Sequence, residues 1–160
     1  MHSKIVSVVG PGQCDPKTAS QAEMVGRLLA TNGITVVCGG LGGVMEALCR
    51  GAKMMGGTTI GILPGTDASA ANAYVDIPIP TGMGEGRNIL VVRAGKTLIA
   101  VAGEYGTLSE IGFALKLGLP VIGLGTWQLL RGGTIDRGIR TAKSPSEAVQ
   151  FCLEILNETR

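Results

Sequence analysis

The chain has 160 residues, 45% apolar but only 3% aromatic, with 26 glycines and a formal net charge of +2. That length suits a single domain over residues 1–160, with a core of Val, Ile, Leu, Ala and Met that needs no disulfide or metal staple. Lys and Arg are scattered, so no nucleic-acid partner is expected, and with no leader pattern and no apolar run near the ~18 residues of a membrane span, a cytoplasmic protein is expected.

In chain order, residues 4–9 read as a β-branched strand ending in Gly10-Pro11-Gly12-Gln13. Residues 16–31 carry Ala19, Ala22, Val25, Leu28 and Leu29 at helical spacing, closed by the C-cap pair Asn32-Gly33. The unit then repeats: strand 34–38, a glycine turn 39–43, and helix 44–55 with Val44, Leu48 and Ala52 on one face. Strand 58–63 stops at Pro64-Gly65, and 66–73 reads as a loop or a short helical turn. Residues 75–79 form a fourth strand, where Pro78 and Pro80 argue for a strand end. Residues 82–86 read as a loop. Helix 87–93, apolar nearly all round, is expected to be buried under the sheet or at a subunit interface. Strand 97–101, helix 106–117, strand 120–124 and helix 146–157 complete the pattern, and the glycine-rich basic stretch 131–143 holds one short edge strand near Ile139.

Strands alternating with helices imply an α/β fold: a doubly wound, mainly parallel sheet of six to seven strands with helices on both faces, Rossmann-like in architecture. Ligands of such sheets lie beyond the carboxyl ends of the strands. Three glycine turns fall at that edge, and their residues are the expected contacts to a phosphorylated small molecule: Gly10 and Gly12; Gly39, Gly40, Gly42 and Gly43; Gly103, Tyr105, Gly106 and Thr107. Neither G-x-G-x-x-G nor G-x-x-x-x-G-K-[ST] is present, so a conventional dinucleotide site and a Walker-type triphosphatase are disfavoured. The four cysteines form no C-x-x-C pair and the one histidine is His2, so no metal site is expected. Cys38, Cys49 and Cys152 read as small core residues, while Cys14 stands beside a glycine loop.

Several residues carry two readings. Gly39–Gly43 is either a tight turn with close helix packing or a helix N-terminus that accepts phosphate. Thr107-x-x-Glu110 matches a capping box, in which Glu110 does no chemistry. Alternatively Glu110, off the buried stripe of Leu108, Ile111 and Leu115, accepts a hydrogen bond from a ribose hydroxyl or activates water at the crevice. Arg87, at the positive end of a helix, calls for an anionic ligand, an ion pair with Glu85 or Glu104, or a solvated position. Trp127 reads as a packing residue.

Gly84-Glu85-Gly86-Arg87-Asn88, the strand through Ala100, the run Gly103-Glu104-Tyr105-Gly106-Thr107-Leu108-Ser109-Glu110 and Leu119-Pro120-Val121-Ile122-Gly123-Leu124 together resemble a known superfamily. It is the Rossmann-like group of molybdenum cofactor carrier proteins and LOG-type (lysine-decarboxylase-like) phosphoribohydrolases. The Arg87-Asn88 pair, the Gly-Thr-Leu-Ser-Glu-Ile wording and Ser144-Pro145-Ser146-Glu147-Ala148-Val149 are similar to the carrier branch. The resemblance implies a homo-oligomer, dimer or tetramer, that binds a molybdopterin-type cofactor or a nucleotide. It also implies phosphate binding by the turns at Gly39 to Gly43 and Gly103 to Thr107. In the phosphoribohydrolase branch Arg87 and Glu110 match the catalytic pair that cleaves the N-glycosidic bond of nucleoside 5′-monophosphates. The family usually has Gly-Gly where this chain has Ala102-Gly103-Glu104, and Glu104 sets a second carboxylate beside the expected phosphate. Two unit charges ~4 Å apart cost about 4 kcal/mol at an effective dielectric near 20, so Glu104 must turn away, pair with Arg87 or be protonated.

Overall fold

Seven strands join edge to edge in one wholly parallel sheet, in the order β4-β3-β2-β1-β5-β6-β9. Their bounds, in a computed structural model that describes residues 4–158, are β1 Ile5–Val9, β2 Thr35–Cys38, β3 Thr59–Leu63, β4 Ile77–Pro80, β5 Leu98–Val101, β6 Val121–Leu124 and β9 Ile139–Ala142. His2 lies outside the described residues. β7 (Leu129–Arg131) and β8 (Thr134–Asp136) form a separate antiparallel hairpin. Among the described residues four α-helices lie between strands of this sheet, α1 Pro16–Thr31, α2 Val44–Met54, α3 Asn88–Ala94 and α4 Tyr105–Lys116, and a fifth, α5 Pro145–Glu158, follows β9.

The pleat sends alternate side chains to opposite faces, and both faces are covered. Val6, Val8, Val36, Cys38, Ile99 and Val101 enter one core with the apolar faces of α1, α2 and α5. Val9, Val37, Leu98 and Ala100 enter a second core with Val91 and Val92 of α3 and Ile111 and Ala114 of α4. Each fully buried Val or Leu contributes roughly 1.5–3 kcal/mol relative to exposure. α1 and α2 cross at bare backbone: a Cβ on Gly26 would stand 2.1 Å from the Leu48 carbonyl oxygen, and one on Gly51 2.0 Å from that of Glu23. Asp15 starts α1 by accepting from the Thr18 amide at 2.7 Å, and the chain leaves the helix through Gly33 at φ 69°, as the Asn32-Gly33 pair predicts.

The observed boundaries correct several sequence expectations. α4 begins at Tyr105 with Glu104 at its N-cap, so Thr107 sits inside the first turn and cannot anchor a capping box. The buried face of that helix is Thr107, Glu110, Ile111 and Ala114, with Leu108 and Leu115 only half-buried. Glu110 is thus on the inward face, not off it. The loop expected at 82–86 ends in a 3₁₀ turn, Gly84–Arg87, that delivers Arg87 to the start of α3. α3 buries Asn88, Val91 and Val92, while Ile89 and Leu90 are half-buried. β4, with its two prolines, is an edge strand, where missing N–H donors cost nothing. Residues 131–143 hold β9 as expected, and also most of the hairpin, whose Gly132-Gly133 turn runs at φ 56° and 81°. Part of their basic charge is answered locally: Arg131 pairs with Asp136 at 3.1 Å, and Arg140 with Glu154 at 2.8 Å. No helix among the described residues is long and apolar enough to cross a membrane.

Candidate functional site

β1 sits between β2 and β5, so the connections depart in opposite directions on either side of it, and the crevice of a doubly wound sheet opens at that switch point. A cavity of about 540 Å³ lies there. Residues of all three glycine turns line it: Gly10 and Gly12 after β1, Gly39 after β2, and Glu104, Gly106 and Thr107 after β5, together with Arg87 and Glu110. Gly40, Gly42, Gly43, Gly103 and Tyr105 lie outside that lining. Val9, Pro11, Gln13, Met45, Glu85 and Asn88 complete the wall.

The glycines shape the cavity chiefly by letting its walls meet. A Cβ on Gly10 would fall 2.5 Å from Val44 Cγ1 and 2.6 Å from the Val101 carbonyl oxygen. One on Gly43, whose φ is 61°, would fall 2.4 Å from the Pro11 carbonyl oxygen. That carbonyl accepts from the Val44 amide at 3.0 Å, so the first turn folds over the N-terminus of α2 and uses its leading donor. The Gly12 and Gln13 amides donate to no other group among the described residues. α4 also begins without a side-chain cap. Uncapped amides at a helix start and in a glycine turn are hydrogen-bond donors without a protein partner.

Arg87 is fixed rather than free. Its Nε donates to the Ile62 carbonyl at 2.9 Å, one terminal nitrogen donates to Asn88 Oδ1, and the other reaches the Gly39 carbonyl at 3.5 Å. The guanidinium lies against Gly39, where a Cβ would stand 2.7 Å from its Nη2. The same Cβ would stand 2.8 Å from Met45 Sδ, so Gly39 lets both side chains close on the turn, and its contact with Arg87 links residues 48 apart in sequence that no turn pattern announces. Asn88 is held in turn, its amide donating to Ser109 Oγ at 3.2 Å. Neither Glu85 nor Glu104 forms an ion pair with Arg87 among the described residues.

Glu110 comes from the second turn of α4 and is only 8% exposed, yet its carboxyl accepts no hydrogen bond among the described residues. Burial pushes its pKa up from 4.5 to about 8, against the pull of the Arg87 charge. Such a shift in a crevice marks a functional candidate. Glu104, exposed at the cavity wall, is the unpaired carboxylate at the positive end of α4. Its backbone carbonyl accepts from Trp127 Nε1 at 3.3 Å, and the Trp127 ring lies 5.7 Å from that of Tyr105, which is 78% exposed. Trp127 thus braces the turn, as a packing residue does. Ala102, just before it, has φ 53°, the single non-glycine positive φ among the described residues.

Beneath the cavity floor, Cys38 at the end of β2 meets Cys49 of α2, with sulfurs 3.6 Å apart. Cys38 also accepts from the Gly40 amide at 3.3 Å, and all four cysteines are free thiols. Cys14 is half-buried, and its thiol is raised by burial, which leaves it without the activation of a reactive cysteine. No cluster of three or more metal-ligating side chains exists among the described residues.

A model of the SLOG cluster4 family matches residues 3–149. An uncharacterized protein of Archaeoglobus fulgidus is 42% identical over 148 residues, which cover 92% of this chain and 93% of that protein. Among solved structures, the molybdenum cofactor binding protein of the phototrophic bacterium Rippkaea orientalis superposes with a TM-score of 0.89 at 35% identity, covering 98% of this chain and 99% of that one. The molybdenum cofactor carrier protein of Chlamydomonas reinhardtii follows with a TM-score of 0.84 at 31% identity, covering 97% and 99%. DNA processing protein A of Helicobacter pylori, at 19% identity, 94% and 80% coverage and a TM-score of 0.71, shares the fold alone.

Proposed function

We propose that this chain, which belongs to the SLOG cluster4 family, binds a phosphorylated small molecule of cofactor or nucleotide type, a molybdopterin-type cofactor foremost. The site is the crevice between β1 and β5. The observation that carries the reading is the cavity itself: about 540 Å³ at the switch point, large enough for a pterin or nucleotide phosphate, with a fixed arginine and the unpaired Gly12 and Gln13 amides in its wall. The likeness to proteins described as molybdenum cofactor binding and carrier proteins supports the same ligand class.

A molybdopterin-type group fits these residues by its phosphate and its flat ring. Arg87 would hold the phosphate together with the Gly12 and Gln13 amides. Glu104 repels an anion at the α4 start, so the phosphate belongs on the Arg87 side of the cavity. The walls at Val9, Pro11 and Met45 would exclude water from the ring. Isothermal titration with AMP, GMP, 6-hydroxymethylpterin phosphate and molybdopterin tests the reading. At least one should bind at micromolar concentration and weaken more than about tenfold in Arg87→Ala, the loss of one charge-assisted contact. Absence of binding by all four refutes it.

A second reading, hydrolysis of nucleoside 5′-monophosphates to free base and ribose 5-phosphate, is favoured by one observation: Arg87 and Glu110 line the same cavity. There a protonated Glu110 would donate to the departing base while Arg87 holds the phosphate. Purified protein should then release free base, and Glu110→Gln should abolish the release; an inert wild type rejects this reading.

A further inference from the structure

Glu110 holds a position that neither a cap nor an ion pair explains. Its carboxyl lines the binding cavity at 8% exposure, no donor reaches it among the described residues, and it belongs to the inward face of α4. Among the described residues Arg87 is the one cation in the cavity wall, and its hydrogen bonds go to the Ile62 and Gly39 carbonyls and to Asn88 Oδ1, none to Glu110, which leaves further N–H donors for a ligand. The other charged or titratable groups facing the cavity add no positive charge: Glu85 from the 3₁₀ turn and Glu104 from the start of α4 are carboxylates. Below, Cys38 of β2 is a buried thiol that feels both Arg87 and Glu110. A bare carboxylate in that setting loses more by desolvation than the pull of the Arg87 charge returns, and the lower-energy state carries a proton.

Building on the binding reading above, we infer that Glu110 stands in the cavity as a neutral carboxylic acid and donates its O–H to an anionic oxygen of the bound phosphorylated ligand. A charged glutamate offers acceptors only, whereas the acid offers one donor. The rise of its pKa to about 8 through burial agrees with the geometry. Glu110 thereby selects ligands that bring an anionic acceptor to the inner wall, and turns away those that bring only N–H or O–H donors.

Binding then carries a proton with it. Below pH 8 the acid is already formed, and affinity is insensitive to this group. Above pH 8 the free protein loses the proton and must regain it on binding, so affinity falls about tenfold per pH unit. The second ionisation of a phosphate monoester, near 6, is complete before that window opens.

The test uses AMP, GMP and inorganic phosphate as probes, titrated from pH 7 to 9.5 in wild type, Glu110→Gln, Glu110→Ala and Cys38→Ala. Wild type and Cys38→Ala should lose about tenfold in affinity between pH 8.3 and 9.3, with uptake approaching one proton per ligand in buffers of different ionisation enthalpy. Glu110→Gln, which keeps an N–H donor, should bind within about threefold of wild type at pH 7 and show no step. Glu110→Ala should bind at least fivefold more weakly at pH 7. In the ligand-free protein, the Glu110 side-chain carbon followed by carbon-13 NMR should titrate near pH 8. Titration below pH 5.5, affinity that rises with pH, or a step that survives in Glu110→Gln overturns the inference while leaving the binding reading intact. Absence of binding by the probes and by the pterin phosphates overturns both.

Discussion

Glu110→Gln should stabilise the protein, and the gain should grow with pH. In the folded protein burial raises this acid from 4.5 to about 8, so between those values the folded state keeps a proton that the unfolded chain has released. Below the unfolded value the group costs nothing, because it is protonated in both states. From there the carboxyl removes about 1.4 kcal/mol of stability per pH unit, and the loss is complete once pH passes the folded value near 8. The shift from 4.5 to about 8 corresponds to a total of about 5 kcal/mol, an upper bound because water admitted to the crevice lowers it. The amide has the same shape and no charge to desolvate. Urea denaturation of both proteins at intervals from pH 5 to 9 reads the difference directly. The variant should match wild type within about 1 kcal/mol at pH 5, exceed it by about 3 kcal/mol at pH 7, and show a plateau above pH 8. Parallel curves, less than about 0.5 kcal/mol apart throughout, would refute the reasoning, since a solvated or capping glutamate gives that result.

Three further outcomes follow from the turns. Gly43→Ala combines a left-handed backbone with a Cβ 2.4 Å from the Pro11 carbonyl oxygen and should lose about 2–5 kcal/mol, whereas Gly12→Ala, with only Met45 Cε at 3.9 Å, should melt within a degree or two of wild type. Ala102→Gly relieves a φ of 53° at the price of chain entropy and should be neutral or stabilising by up to about 1 kcal/mol in urea titrations; a loss above that would show a packing role for the methyl. Glu104→Gln should tighten AMP binding about three- to tenfold at low salt, an effect that shrinks at about 0.5 M salt; unchanged affinity would show that the Glu104 charge does not act on the bound phosphate.

The alternating framework was legible because each strand–helix unit carries its own punctuation. Asn32-Gly33 closes α1, Pro64-Gly65 stops β3, and the apolar runs at β1, β2 and β5 are buried on both faces. The crevice followed from the glycine turns at the strand ends. The register of α4 did not, because Thr107-x-x-Glu110 satisfies the local capping pattern while the helix starts two residues earlier, at Tyr105. Glu110 lies on the inward face with Thr107, Ile111 and Ala114, and that placement changes the meaning of its carboxylate. The close approach of Arg87 and Met45 to Gly39 comes from segments away from its own turn and is invisible to any local pattern. β7 and β8 are three residues each, too short for a period-two signal, although the Gly132-Gly133 turn was there to be read.

The central claim is that the β1–β5 crevice holds the ligand by its phosphate. A crystal structure of the protein with GMP or 6-hydroxymethylpterin phosphate tests it most directly. The account predicts the phosphate within hydrogen-bond reach of the Arg87 guanidinium and the Gly12 and Gln13 amides, with Glu110 Oε on a phosphate oxygen. Ligand bound outside this cavity, or with its phosphate turned to solvent and its ring against Arg87, would contradict it.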